Sequence, residues 1–341
     1  MTAWDEARAR DGIAAIVAET EAALDGTVWP LHPRDNDDEF IPADLTTLYL
    51  GAGGMVWALR RLGSSLDVDA LAAAVLARYR EAQNDDDPGS LFLGETGLLA
   101  LTRTDDDRLA ELVAANERHP AWEVLYGSPG TILAAQAAGL ADEAQRSADI
   151  LIEEWERHDW GLWDCVLMGH EFQSIGPAHG FAGNVHVLRA YIDDDVLRAR
   201  IEHVLRKYAV WDGTAVNWPP GPGHPLDRIQ WCHGAPGIVA TLGDLMAEDL
   251  LLGGAETTWR HGPLDKGPGL CHGTAGNGYA LLKTYAVTGD EIWLERARSF
   301  ALAALDQRQR RYSLMTGDIG AALFAQACID VDARFPILDV L

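Results

Sequence analysis

The stretch Leu270-Cys271-His272-Gly273-Thr274-Ala275-Gly276, running on into the apolar segment Tyr279-Ala280-Leu281-Leu282, decides how this chain is read. Its Gly-x-x-Gly element opens an apolar helical pattern, and the element occurs seven times: Gly51 to Gly54, Gly94 to Gly97, Gly127 to Gly130, Gly180 to Gly183, Gly234 to Gly237, Gly273 to Gly276 and Gly317 to Gly320. The intervals are irregular but of one order, about the length of a two-helix repeat with variable loops. Each copy opens a segment such as Met55-Val56-Trp57-Ala58-Leu59, apolar nearly all round as befits a helix buried on every side. Between copies, Asp5 to Leu24, Val68 to Gln83, Ala141 to His158, Asp195 to Val210 and Glu291 to Leu305 alternate apolar and charged residues at helical spacing. Strand signals are sparse, with few alternating β-branched runs and no Asn-Gly or Asp-Gly hairpin between them.

Buried and amphipathic helices in alternation predict an all-α fold, an (α/α)7 toroid in which an inner ring of seven helices is wrapped by an outer ring of seven. The expectation is one domain over residues 1–341. Glycines at the start of the inner helices let chain segments crowd together at one mouth of the ring, where a larger side chain collides. An open solenoid is the alternative, but solenoids carry distinct polar caps and both terminal copies here look like the others.

The composition narrows the class. With 341 residues, 48% of them hydrophobic, the chain can bury a sizeable core. The segment Met1-Thr2-Ala3-Trp4-Asp5-Glu6 lacks a signal-peptide pattern and no run is long enough to span a bilayer, so a cytoplasmic protein without a membrane partner is expected. Only four cysteines occur, which fits a reducing compartment rather than a disulfide framework. The formal net charge of -25 argues against a nucleic-acid partner, which requires counter-charge. The acidic runs Asp35 to Glu39, Asp85-Asp86-Asp87, Asp105-Asp106-Asp107 and Asp193-Asp194-Asp195 read as solvated loop tips. The cluster Arg308, Arg310 and Arg311 reads as a solvated helix end, and Cys165 and Cys328 as packing residues.

A second copy of the opening pattern, Trp231-Cys232-His233-Gly234-Ala235-Pro236-Gly237, lies about forty residues upstream of the first, so two Cys-His pairs can close on one ion. Thiolate and imidazole together are a zinc ligand set. From spacing alone, Cys232, His233, Cys271 and His272 form either a closed, structural Cys2His2 site or three ligands with an open, catalytic position. Both cysteines stand just before a helix, where the N-terminal dipole favours a thiolate. A third histidine, His179, also precedes a repeat glycine.

These motifs, with Ala178-His179-Gly180-Phe181-Ala182-Gly183 and the closing Ala333-Arg334-Phe335-Pro336, resemble the lanthionine synthetase C family, zinc-dependent cyclases of lanthipeptide biosynthesis, and look closer to its LanC-like branch. The resemblance covers all seven repeats. It implies zinc on Cys232, Cys271 and His272, with the fourth position open for a substrate thiol that adds to dehydroalanine or dehydrobutyrine in a peptide. It further implies His179 as the proton donor, Arg228 as the group that stabilises the enolate oxygen, and Glu123 where the lantibiotic cyclases carry an aspartate. The thiol is a peptide cysteine or glutathione, and a separate dehydratase or kinase supplies the dehydrated peptide. Lys266, His170 and His233 are assigned to the substrate side of the mouth, Lys266 because lysine is scarce here. The rival readings are a non-catalytic zinc- or glutathione-binding scaffold and a carbohydrate-active toroid, the latter requiring paired carboxylates in its cavity rather than thiolates.

Overall fold

The computed structural model describes residues 3–35, 45–82 and 87–341. Among these residues fourteen helices follow one another: α1 (Glu6–Ala22), α2 (Ala52–Arg61), α3 (Val68–Glu81), α4 (Glu95–Thr102), α5 (Asp106–Asn116), α6 (Ser128–Ala138), α7 (Ala141–Arg157), α8 (Phe181–Leu188), α9 (Asp194–Tyr208), α10 (Ala235–Leu242), α11 (Glu248–His261), α12 (Thr274–Thr288), α13 (Glu291–Asp306) and α14 (Asp318–Asp330). Every even-numbered helix starts directly after the first glycine of a Gly-x-x-Gly element. These helices pack in a closed ring, α2 on α4 and so on round to α14 on α2, while α1 packs from outside on α13 and α14. The fold is an (α/α)7 toroid.

The two rings differ in the way the sequence pattern requires. All eight residues of α10 are buried, whereas α7 buries only Ala144, Ser147, Ala148, Leu151 and Trp155, one stripe at helical spacing. Their caps differ as well. Inner helices begin at a glycine with no side-chain cap, while Asp5, Asp67, Asp105, Asp193 and Asp290 cap outer helices by accepting a backbone N–H of the first turn. This corrects the reading of two acidic runs. Asp105 and Asp193 are helix N-caps followed by acidic first-turn residues, a placement the helix dipole rewards, rather than free loop tips. Residues 36–39 and 85–86 of the other two runs, and the expected helix end at Gln83, lie outside the described residues.

The second glycine of each element explains the motif. A Cβ on Gly237 lies 1.6 Å from the Trp231 carbonyl oxygen, and one on Gly276 lies 1.7 Å from that of Leu270, so only hydrogen fits where the helix folds back over its own lead-in loop.

Three features depart from expectation. Two small antiparallel hairpins are present, β1 (Cys165–Leu167) with β2 (His170–Phe172), and β3 (Val210–Asp212) with β4 (Ala215–Asn217). The second turns through Gly213, with a φ of 62°, and Thr214, while Asp212 pairs with Ala215, and strands of three residues leave no alternating run. Helices α5 and α11 lie outside the five amphipathic segments that the helical spacing marks. The latter carries Gly253-Gly254 mid-helix, poor in propensity but needed because a Cβ on Gly254 meets Val239 of α10 at 2.6 Å. Lastly, Arg311 is not a solvated helix-end charge: it is buried and ion-paired with the equally buried Asp35.

The C-terminal segment fills the ring. Phe335, Ile337 and Leu338 are buried, and Phe335 stacks on Trp231 with centroids 4.4 Å apart while meeting Tyr279 of α12 edge-on. Trp231, one residue before Cys232, is thereby held from below.

Candidate active site

At the N-terminal ends of the inner helices, the residues two before the first glycine of repeats five, six, seven, one and two meet in one ladder. The Cys232 N–H donates to the Cys271 carbonyl (3.1 Å), Cys271 to Met315 (2.7 Å), Met315 to Tyr49 (3.3 Å) and Tyr49 to Phe92 (2.9 Å). Equivalent positions of consecutive repeats are thus laced side by side, and this lacing brings two cysteines distant in sequence together. The loop carrying Cys232 is closed on itself, Gln230 and His233 exchanging both backbone hydrogen bonds. Asn217 holds it from outside, its amide donating to the Arg228 carbonyl while its oxygen caps Ala235 N–H at the start of α10. Gly234, between them, has a φ of 103°, which demands glycine.

The ligand atoms of Cys232, Cys271 and His272 lie within 4.8 Å of one another. Both sulfurs are buried, with residue exposures of 6% and 4%, and the imidazole is half-buried. Hydrogen bonds from Cys271 and His272, against the cost of burial, hold the Cys232 thiol well below its ordinary range, while the same shared bond and burial push Cys271 up. Two sulfurs and one imidazole are a set that suits zinc with one coordination position left over. His233 is not part of the cluster. Burial, joined by the nearby charges of His179, Arg228 and His224 and opposed by that of Cys232, pulls it down to about 4.

Beside the cluster opens a cavity of about 340 Å³, lined by His179, His233, Arg228, His224 and Asp227 among others. The rings of His179 and His233 stack at 5.7 Å. His179 Nδ1 donates to Glu123 Oε2 (3.1 Å), and Glu123, wholly buried, also accepts the Leu125 and Tyr126 backbone N–H groups, which fixes its carboxylate. Burial lowers the His179 pKa, but the Glu123 hydrogen bond and charge, aided by Cys232, outweigh it and leave the imidazole above its ordinary value. That leaves Nε2 as the nitrogen free to serve the cavity. The Arg228 side chain also lines it and, among the described residues, is engaged in no hydrogen bond or ion pair.

Of the three residues assigned to the substrate side, only His233 lines this cavity. Lys266 instead donates to Gln230 Oε1 (2.7 Å), and His170 is exposed on β2, away from the cavity lining. Cys165 and Cys328 are buried free thiols, raised by desolvation. Sequence reasoning passed over Gln230, which contacts Cys232 Sγ, and Tyr49, whose hydroxyl is hydrogen-bonded to Cys271. For Tyr49 a signal existed: it stands two residues before Gly51, the register of both cysteines.

Fold and site together find counterparts among known proteins. Residues 39–340 match the family described as Lanthionine synthetase C-like protein, and the chain belongs to that family. It is similar to LanC-like protein GCL1 of Arabidopsis thaliana, 30% identical over 192 residues that make up 49% of this chain and 43% of that one. It is also similar to Glutathione S-transferase LANCL1 of Danio rerio, 29% identical over 191 residues, 50% of this chain and 47% of that one. The chain thus spans under half the length of these two relatives. The solved structure of nisin cyclase shares the fold, with a TM-score of 0.62 over 93% of both chains at 14% identity. No helix among the described residues is long and apolar enough to cross a membrane.

Proposed function

We propose that this chain, read as one domain over residues 1–341, joins a thiol to the β-carbon of a dehydroalanine or dehydrobutyrine residue in a peptide, forming a thioether. The observation that carries this reading is the three-donor cluster of Cys232, Cys271 and His272 beside a cavity containing a buried-carboxylate-held imidazole. Zinc, the ion this donor set fits, supplies when bound the positive charge that keeps an added thiol deprotonated.

The remaining roles fall to the chain itself. When the thiolate sulfur bonds to the β-carbon, the π pair of the dehydro residue moves onto the α-carbon and its carbonyl oxygen. Arg228, which lines the cavity without a partner among the described residues, is suited to hold that oxygen as charge develops. His179 then gives its Nε2 proton to the α-carbon, and Glu123 keeps the ring oriented and the imidazolium stabilised. The names of two similar proteins, Glutathione S-transferase LANCL1 and nisin cyclase, support glutathione or a peptide cysteine as the thiol.

The test is direct. Purified protein is incubated with a dehydroalanine peptide and either glutathione or a cysteine within the same peptide, and the product is followed by mass spectrometry. Thioether formation by the wild-type protein, reduced about 10²- to 10⁴-fold in His179→Asn with metal content unchanged, is the expected result. Full activity in His179→Asn removes His179 as the proton donor, and no thioether from the wild-type protein returns it to the scaffold reading.

A further inference from the structure

We infer that Gln230 is a positioning residue for the metal-binding thiolate of Cys232, and that Lys266 acts on it through Gln230. The inference rests on the metal-centre reading above and extends it to two residues outside the donor set. Gln230 is buried, its Nε2 lies 2.9 Å from Cys232 Sγ, and its Oε1 accepts the Lys266 ammonium at 2.7 Å.

The orientation of the amide follows from the chemistry of its two neighbours. An ammonium only donates, so it must face the amide oxygen; a thiolate only accepts, so it must face the amide NH2. Both demands give the same orientation, and no flipped alternative satisfies either. Backbone geometry adds a second constraint, because Gln230 and His233 close the Cys232 loop by exchanging two hydrogen bonds. The side chain of Gln230 therefore folds back over a sulfur whose own backbone is already fixed. The cationic end of Lys266 polarises the amide and strengthens its donation. A hydrogen bond of this kind fixes the direction of the sulfur lone pairs and withdraws charge from them. Groups so placed behind metal ligands change metal affinity about 10- to 100-fold when removed.

Lys266 is thereby given a task different from holding a substrate anion, and the two assignments make opposite forecasts. The experiment uses the full-length protein loaded with zinc or cobalt(II). Zinc affinity is measured by competition with a chromophoric chelator, and the sulfur-to-cobalt charge-transfer band is recorded for the wild-type, Gln230→Met, Lys266→Met and double variants. Gln230→Met keeps side-chain length without the donor and is expected to weaken zinc binding about 10- to 100-fold and move the band to longer wavelength. Lys266→Met, at an exposed position that tolerates substitution, is expected to move both readouts the same way by less. The double variant should match Gln230→Met alone.

Bound metal with affinity within twofold of wild type and an unmoved band in Gln230→Met overturns this inference and leaves the proposed function standing. Additive losses in the double variant overturn the relay and give Lys266 a separate role. A wild-type protein that takes up neither metal overturns the inference and the metal-centre reading together.

Discussion

Two sectors of the mouth share one backbone and differ in chemistry. In repeats five and six, the residue two before the first glycine is Cys232 or Cys271; in repeats seven, one and two, the same position holds Met315, Tyr49 and Phe92, joined by the same ladder of backbone hydrogen bonds. The register six residues before the first glycine offers a parallel contrast. Arg228 there faces the cavity without a partner among the described residues, while Arg311 is buried against Asp35. A closed ring of repeats supplies equivalent positions, and side-chain choice at a few of them gives one sector a cluster of donor atoms and another a buried structural joint.

The sharpest way to break this comparison is to exchange properties at one register. Cys271→Ala and Cys232→Ala are each expected to abolish metal binding, read by elemental analysis of purified protein, whereas Met315→Ala should leave the metal content at wild-type level. Equal metal loss in all three would show that the ring as a whole, rather than two sulfurs, governs binding.

The arginine register gives the next effect. Asp35→Ala strands a buried guanidinium and should cost about 3–5 kcal/mol in denaturant unfolding, while Arg228→Ala should change stability by less than about 0.5 kcal/mol and act on turnover instead. Comparable stability losses in the two variants would remove the distinction.

The glycines sharpen the comparison further. Gly276→Ala places a Cβ 1.7 Å from the Leu270 carbonyl, and Gly320→Ala places one 2.9 Å from that of Leu314. The first is expected to cost about 3 kcal/mol or more and the second roughly 1 kcal/mol, both measured as shifts in the denaturation midpoint. The reverse order would mean that the loops relax freely.

The smallest effect concerns pH. Glu123 raises the His179 pKa, so a rate carried by the imidazolium falls as pH rises through that raised value. Glu123→Gln removes the charge, lowers the pKa and moves the alkaline limb of the pH–rate profile to lower pH. For stability the sign agrees: the pair contributes below the pKa of a free imidazole and its contribution is lost as pH rises through the folded value. An unmoved limb would detach His179 from the observed titration.

Much of the site was legible because each of its parts carries a local mark. Cys232, Cys271 and His272 stand in paired motifs, and His179 precedes a repeat glycine. Gln230 carries no such mark: glutamine beside a tryptophan is unremarked until its amide is seen between a sulfur and an ammonium. The bond between Asp35 and Arg311 joins the two ends of the chain, and no periodicity reports such a pairing. His170 misled for the converse reason, since nearness in sequence to the fourth repeat does not carry a hairpin strand into the cavity.

The number of repeats, the alternation of buried and amphipathic helices and the residues able to hold a metal can all be read from the sequence. Helical periodicity and glycine spacing are local properties, and a soft donor set is a matter of composition. Only the folded chain settles which equivalent positions become neighbours and that Gln230 bridges Lys266 and the Cys232 sulfur. Those outcomes depend on ring closure and on burial, which act between residues far apart in the chain.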